Sequence, residues 1–210
     1  QLFAEGSYYR GHFTYRISPT PVNSGFTRTP MTLPPSSPYY PAAYVAAIGG
    51  KPNLPVYLAY RTTELGPCVS EVVAEQWRAL AGFQGERAGW EYQTAVAFVA
   101  NRQVSSNVSG SLSEAVFGPL LRSGVVNPFG PNPEDVLRQM REAQVTGKES
   151  DNRARNVGAD LRISRDLMTL PSGPLAVAFG IEGRREELDI ANEPVLYSGD
   201  IIGGDGALPS

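Results

Sequence analysis

Two stretches of this chain alternate in polarity along both legs of a short-turned hairpin, and that pattern constrains the fold more than anything else in the sequence. The first runs from Gln76 to Gln84, turns at Glu86-Arg87-Ala88-Gly89 and returns as Trp90 to Ala100. On the return leg Trp90, Tyr92, Thr94, Val96, Phe98 and Ala100 share one face. Glu91, Gln93, Ala95, Ala97, Val99 and Asn101 share the other. The second runs from Val157 to Leu167, turns through Met168 to Gly173 and returns as Pro174 to Arg185. Val157, Ala159, Leu161 and Ile163 alternate there with Gly158, Asp160, Arg162 and Ser164. Leu175, Val177, Phe179 and Ile181 alternate with Ala176, Ala178, Gly180 and Glu182. Successive side chains of a strand point to opposite faces, so each leg has one apolar face and one small or polar face. In a soluble sandwich the apolar face meets a second sheet. In an outer-membrane barrel it meets lipid, and the polar face lines the lumen.

Composition narrows the choice from the other side. Gly (22) and Pro (18) together approach a fifth of the 210 residues, which suits strands joined by long irregular loops better than a helical bundle. With 18 basic and 21 acidic residues, no charge excess points to nucleic acid. No apolar run approaches the roughly 20 residues of a membrane helix. The longest, Ala95 to Ala100 and Leu175 to Ile181, have strand length. One cysteine, Cys68, excludes an internal disulfide and a thiolate metal cluster. One histidine, His12, leaves any histidine-based triad dependent on that residue. No catalytic, cofactor or metal site is expected.

The connections alternate long and short. Leu2 to Arg16 reads as a strand. Ile17 to Asn53 holds eight prolines, which forbids a central strand and marks a long loop. Val56 to Gln84 reads as one long strand with a bulge at Gly66-Pro67. Trp90 to Arg102, Val157 to Leu167 and Pro174 to Glu186 complete five membrane strands of consistent direction. Gln103 to Asp151 is a second long connection with two helix signals. Ser111-Leu112-Ser113-Glu114 is a capping box before an apolar stretch ending at Gly124. Asn132-Pro133-Glu134-Asp135 supplies an N-cap, a proline and acidic residues for a helix to about Gln144. Leu188 to Ser210 reads as a third irregular stretch, with a flexible glycine run at Gly203-Gly204-Asp205-Gly206. Gln1 to Glu5 has no basic or apolar leader region, so no signal peptide is expected and the start reads as a cut through a strand.

Several of these residues match a known family. Glu75 to Gly85, a short turn, then Gly89-Trp90-Glu91-Tyr92 resembles an early barrel hairpin of TonB-dependent outer-membrane receptors. Val126-Asn127-Pro128-Phe129-Gly130 is similar to the same family. Leu170-Pro171-Ser172-Gly173-Pro174 leads into an apolar strand to Glu182, followed by Arg184-Arg185-Glu186-Glu187. That segment resembles the family's Leu-Pro-x-Gly turn feeding a strand that ends in a charged cluster. The resemblance spans essentially the whole chain. It implies an all-β fold: an antiparallel membrane β-barrel segment, about five long strands of a 22-stranded barrel, with long extracellular loops carrying short helices. It also implies that residues 1–210 are a fragment without the plug domain. The function implied is non-enzymatic uptake of a large scarce nutrient of siderophore, cobalamin or oligosaccharide type. The implied place is the outer membrane of a Gram-negative bacterium. The implied partners are lipid, the receptor's own plug, the TonB energy-coupling complex through it, and the nutrient; no cofactor is implied.

Glu91, Asp160, Arg162, Glu182 and Arg184 fall on the polar faces and are the candidate lumen residues. They either line the nutrient path, hold the plug by ion pairs, or only keep the interior wet. Trp90 and Tyr92 beside a short turn suit an aromatic girdle, or ordinary sheet packing. A soluble β-sandwich or small-barrel binding module is the alternative. An outer-membrane hydrolase is a third, disfavoured by the single histidine.

Overall fold

The computed structural model describes residues 1–204, apart from the side chains of Val195 and Tyr197. Its long strands are β1 (Leu2–Ile17), β6 (Cys68–Arg87), β7 (Trp90–Ser109), β8 (Gly147–Leu170) and β9 (Gly173–Asn192). Between them lie the short strands β2 (Pro21–Asn23), β3 (Thr32–Leu33), β4 (Val56–Tyr57) and β5 (Ala59–Arg61). The helices are α1 (Ala42–Ala47), α2 (Glu114–Arg122), α3 (Glu134–Glu142) and α4 (Pro194–Ser198), with a 3₁₀ turn at Thr63–Leu65. The long strands form one antiparallel sheet in the order β1-β6-β7-β8-β9. Among the described residues no sheet closes into a barrel. Both expected hairpins are present, with tighter turns than the sequence suggests. At the first, Ala88 and Gly89 both hold positive φ, 54° and 74°, the backbone of a primed two-residue hairpin turn.

The strands outrun the expected bounds. Residues 103–109 and 147–151 continue β7 and β8 instead of belonging to the connection, and β9 extends to Asn192 before α4 begins. Val56 to Gln84 is not one bulged strand. Tyr57 and Val56 pair with Thr32 and Leu33, and Ala59 to Arg61 pair with Asn23 to Pro21. The 3₁₀ turn then separates these small ladders from β6. The count of five long strands stands, because the 56–61 segment spends its backbone hydrogen bonds elsewhere.

The chain divides into two compact units. The first comprises residues 1–12, 72–104 and 151–191; the second comprises 13–71, 105–150 and 192–210. The second unit has a hydrophobic core that includes Val22, Met31, Leu33, Leu58, Leu112, Phe117, Leu121, Val126, Val136, Met140, Ala143 and Ile202. The first is a single layer of strands, and among the described residues none of its hydrophobic side chains is buried.

Polar contacts knit the long connections of the second unit together. Ser113, not Ser111, caps α2, its Oγ accepting from the Val116 N–H at 3.2 Å. Glu114 therefore opens the helix instead of closing a capping box. Its buried carboxylate accepts from the Arg28 and Thr29 N–H groups, each at 2.8 Å, and from the Thr29 hydroxyl at 2.7 Å. Burial raises its pKa, but these bonds outweigh burial and the net shift is downward. Asp200 accepts from the Ala115 N–H and the Ser113 hydroxyl. Gly124 ends α2 at φ +80°, where a Cβ would collide with Ser37. Asn132 does not cap α3 either: its side chain is spent on Asn127 and Glu64. The glycine run is described only at Gly203 and Gly204; Asp205 and Gly206 lie outside the described residues.

Candidate functional site

The first unit carries the site, and its two faces follow from side-chain contacts between neighbouring strands. Tyr8 stacks on Trp77 with ring centroids 4.2 Å apart, and Phe83 meets Tyr92 edge-on at 5.9 Å. The Arg165 guanidinium lies 5.6 Å above the Trp90 ring. These contacts place Tyr8, Trp77, Phe83, Trp90, Tyr92 and Arg165 on one side. Alternation then adds Val96 and Phe98 of β7, and Val157, Leu161 and Leu167 of β8. On the opposite side Asn156 donates to Glu186 at 3.1 Å, and Ser164 donates to Glu91 at 3.4 Å. Leu175, Val177, Phe179 and Ile181 of β9 therefore share the aromatic side.

That side is apolar and open. Val96 is 55 % exposed, Phe179 59 % and Ile181 60 %. Full burial of such a side chain is worth about 1.5–3 kcal/mol, so covering what remains exposed is worth roughly 1 kcal/mol for each. Among the described residues no element takes up that gain. On β7 the uncharged face from Trp90 to Ala100, at about 3.3 Å per residue, spans ~33 Å of strand, or ~25 Å of thickness at a tilt of ~40°.

The opposite face is small and polar, and it is hollowed. Gln84, Glu86, Glu91, Gln93, Arg162, Ser164, Ala178 and Gly180 line a hollow of about 800 Å³ towards the first short turn, with Tyr92, Ile163 and Phe179 of the neighbouring positions also bordering it. A second, of about 380 Å³, is lined by residues including Gln76, Asn101, Gln103, Asn152 and Ala154. Of the five lumen candidates, Glu91 and Arg162 line the larger hollow together. Asp160 stands 4.0 Å from Arg162. Glu182 and Arg184 lie farther along β9 and do not line it; Arg184 pairs with Glu186 at 3.4 Å. Gln84, Gln93 and Ser164 share the hollow, and the same alternation that marks Glu91 and Arg162 marks them too.

A charged cluster on the apolar side is not readable from spacing. Arg102 donates to Asp151 from Nε at 2.9 Å and Nη2 at 2.7 Å, and Arg153 approaches the same carboxylate at 3.3 Å. Hydrogen bonds from Arg102, then from Arg153, hold Asp151 far below the usual carboxylate range. It sits beyond Val157, where the apolar band ends. The described residues hold no group of three or more His, Cys, Asp or Glu placed to bind a metal ion. Among the described residues no helix is long and apolar enough to cross a membrane.

Comparison with family models, with curated proteins and with solved structures gave no match.

Proposed function

We propose that this chain forms part of the barrel wall of a TonB-dependent outer-membrane receptor, five strands of about 22, serving uptake of a large scarce nutrient. The observation that carries the reading is the uncovered apolar face of a single-layer sheet whose other face is polar and hollowed. A one-layer sheet in water has nowhere to bury that face; in a bilayer, lipid covers it while the polar face lines the lumen. The ~25 Å apolar band matches the outward belt of such barrels. Strands β1 and β9 have unpaired edges, which further barrel strands would take up. The two-residue turns stand for the periplasmic side, and the long connections with their helices for the extracellular loops. Glu91 and Arg162 then face the plug or the nutrient path, with Asp160, Glu182 and Arg184 on the same wall. The sandwich alternative needs a second sheet over Val96, Phe179 and Ile181, and these stay exposed.

Both tryptophans of the chain, Trp77 and Trp90, lie on the apolar face and are native probes of it. Folding the chain with phosphatidylcholine vesicles that carry brominated acyl chains should quench both emissions strongly. A detergent-free, monodisperse monomer with a cooperative melt and no quenching would overturn the membrane reading.

A further inference from the structure

Residues 127–132, within the connection between α2 and α3, hold an aromatic ring out in solvent, and the hydrogen bonds beneath it explain how. Asn127 Oδ1 accepts from the Phe129 N–H at 3.0 Å, and Asn132 Oδ1 accepts from the Asn127 N–H at 2.8 Å. Asn132 Nδ2 donates both to the Asn127 carbonyl at 3.0 Å and to Glu64 Oε1 at 3.1 Å. Pro128 and Pro131 fix φ on either side. The loop is pre-organised, yet its tip residue Phe129 stays 62 % exposed. Rigid display of an exposed aromatic costs burial energy that folding alone does not recover.

Beside it opens a hollow of about 460 Å³, within the range of small-ligand sites, lined by Tyr60, Arg61, Glu64, Asn127 and Phe129 among others. The Tyr60 hydroxyl is buried and has no hydrogen-bond partner. The charge is balanced, with one guanidinium against one carboxylate. Arg61 commits one nitrogen to the Pro19 carbonyl at 2.9 Å and keeps its other donors. An aromatic face, a carboxylate, an amide and a guanidinium around a neutral hollow match a ligand with an apolar ring face and a rim of hydroxyls.

We propose that this hollow binds a neutral sugar ring of an oligosaccharide, stacked on Phe129 and hydrogen-bonded through its hydroxyls to Glu64, Asn127 and Arg61. As capture of a nutrient it rests on the receptor reading above; as a binding site it stands alone. The test uses the full chain in detergent micelles, with maltotriose and chitotriose as probes at about 10 mM, ten times a 1 mM Kd. Saturation-transfer NMR should show at least one of them bound, with transfer to the ring protons of the sugar. Phe129→Ala, a change at an exposed side chain, should weaken binding at least tenfold. Glu64→Gln, which keeps the shape of the side chain and removes its charged acceptor, should weaken binding severalfold. The proposal is overturned if neither sugar binds, if Phe129→Ala binds equally well, if Glu64→Gln binds equally well, or if inorganic phosphate binds instead. Loss of sugar binding with tryptophan quenching intact removes this site and leaves the receptor reading standing. Binding without quenching does the reverse.

Discussion

Arg102 meets Asp151 in a two-pronged hydrogen bond, Nε to Oδ1 at 2.9 Å and Nη2 to Oδ2 at 2.7 Å, tying β7 to β8 where the apolar band ends. A carboxylate whose folded pKa is depressed contributes stability that is complete above its unfolded value, near 3.9, and is lost as pH falls below it. Wild-type protein should therefore lose stability on acidification below about pH 4, and Asp151→Asn should be less stable at neutral pH and lack that part of the acid loss. Denaturation in micelles from pH 7 to pH 2.5 measures both curves. Parallel curves would show that the pair contributes nothing to folding. Arg102→Lys should fall between them, since an ammonium cannot reproduce the two-pronged geometry.

The β6–β7 turn stores a small strain. Ala88 has φ +54°, a conformation that costs an L-residue about 1–2 kcal/mol. Ala88→Gly should relieve part of it, raising stability by roughly 0.5–1 kcal/mol after the added entropy of the unfolded chain. Gly89→Ala, at φ +74°, should destabilise by about 1 kcal/mol or more. The opposite signs at adjacent positions are the diagnostic, and urea titration in micelles reads them. Equal signs would rule out the primed turn.

In the second unit, Glu114 fastens the Arg28-Thr29 loop to the start of α2. Hydrogen bonds to a charged group contribute about 1.5–3 kcal/mol. Glu114→Ala should speed amide exchange at Arg28 and Thr29 by about 30-fold, equivalent to ~2 kcal/mol, and leave β8 and β9 unaffected. Unchanged exchange at both amides would mean that the latch does not hold the loop.

How far these features can be read from sequence depends on the separation over which they act. The five long strands are legible because alternation is local: Val96 and Phe98 announce their shared face without reference to any other strand. The polar wall is legible for the same reason, and Gln84 and Ser164 follow from the parity that marks Glu91 and Arg162. The small ladders are not legible. Thr32-Leu33 and Val56-Tyr57 are too short to show a period, and proline surrounds them. The α2 cap turns on tertiary context. Ser111 and Ser113 are both acceptable caps, and what decides between them is Glu114 being drawn to Arg28 and Thr29, 86 and 85 residues away in sequence. Arg102 and Asp151 are 49 residues apart, and only the register of β7 against β8 brings them together.

The sharpest prediction concerns facing. Val177 and Phe179 share the side of Val96 and Phe98 by alternation, whereas Ala178 and Gly180 fall on the side of Glu91 and Arg162. Val177 and Ala178 are adjacent, apolar and both exposed, so a soluble edge strand would treat arginine at either site alike. A bilayer would not. An arginine on the lipid side costs about 2–4 kcal/mol near the midplane and 0–1 near the interfaces, while a lumen arginine reaches water. Val177→Arg should therefore reduce the yield of chain folded into phosphatidylcholine vesicles far more than Ala178→Arg. Transport is the wrong readout, because an arginine at 178 can also clash with whatever fills the lumen. A lipid-soluble quencher supplies the independent measurement: a label at 177 should be quenched and one at 178 spared. If 178 is the worse site and the quenched one, the two faces are exchanged. If neither label is quenched, the strand does not enter the membrane.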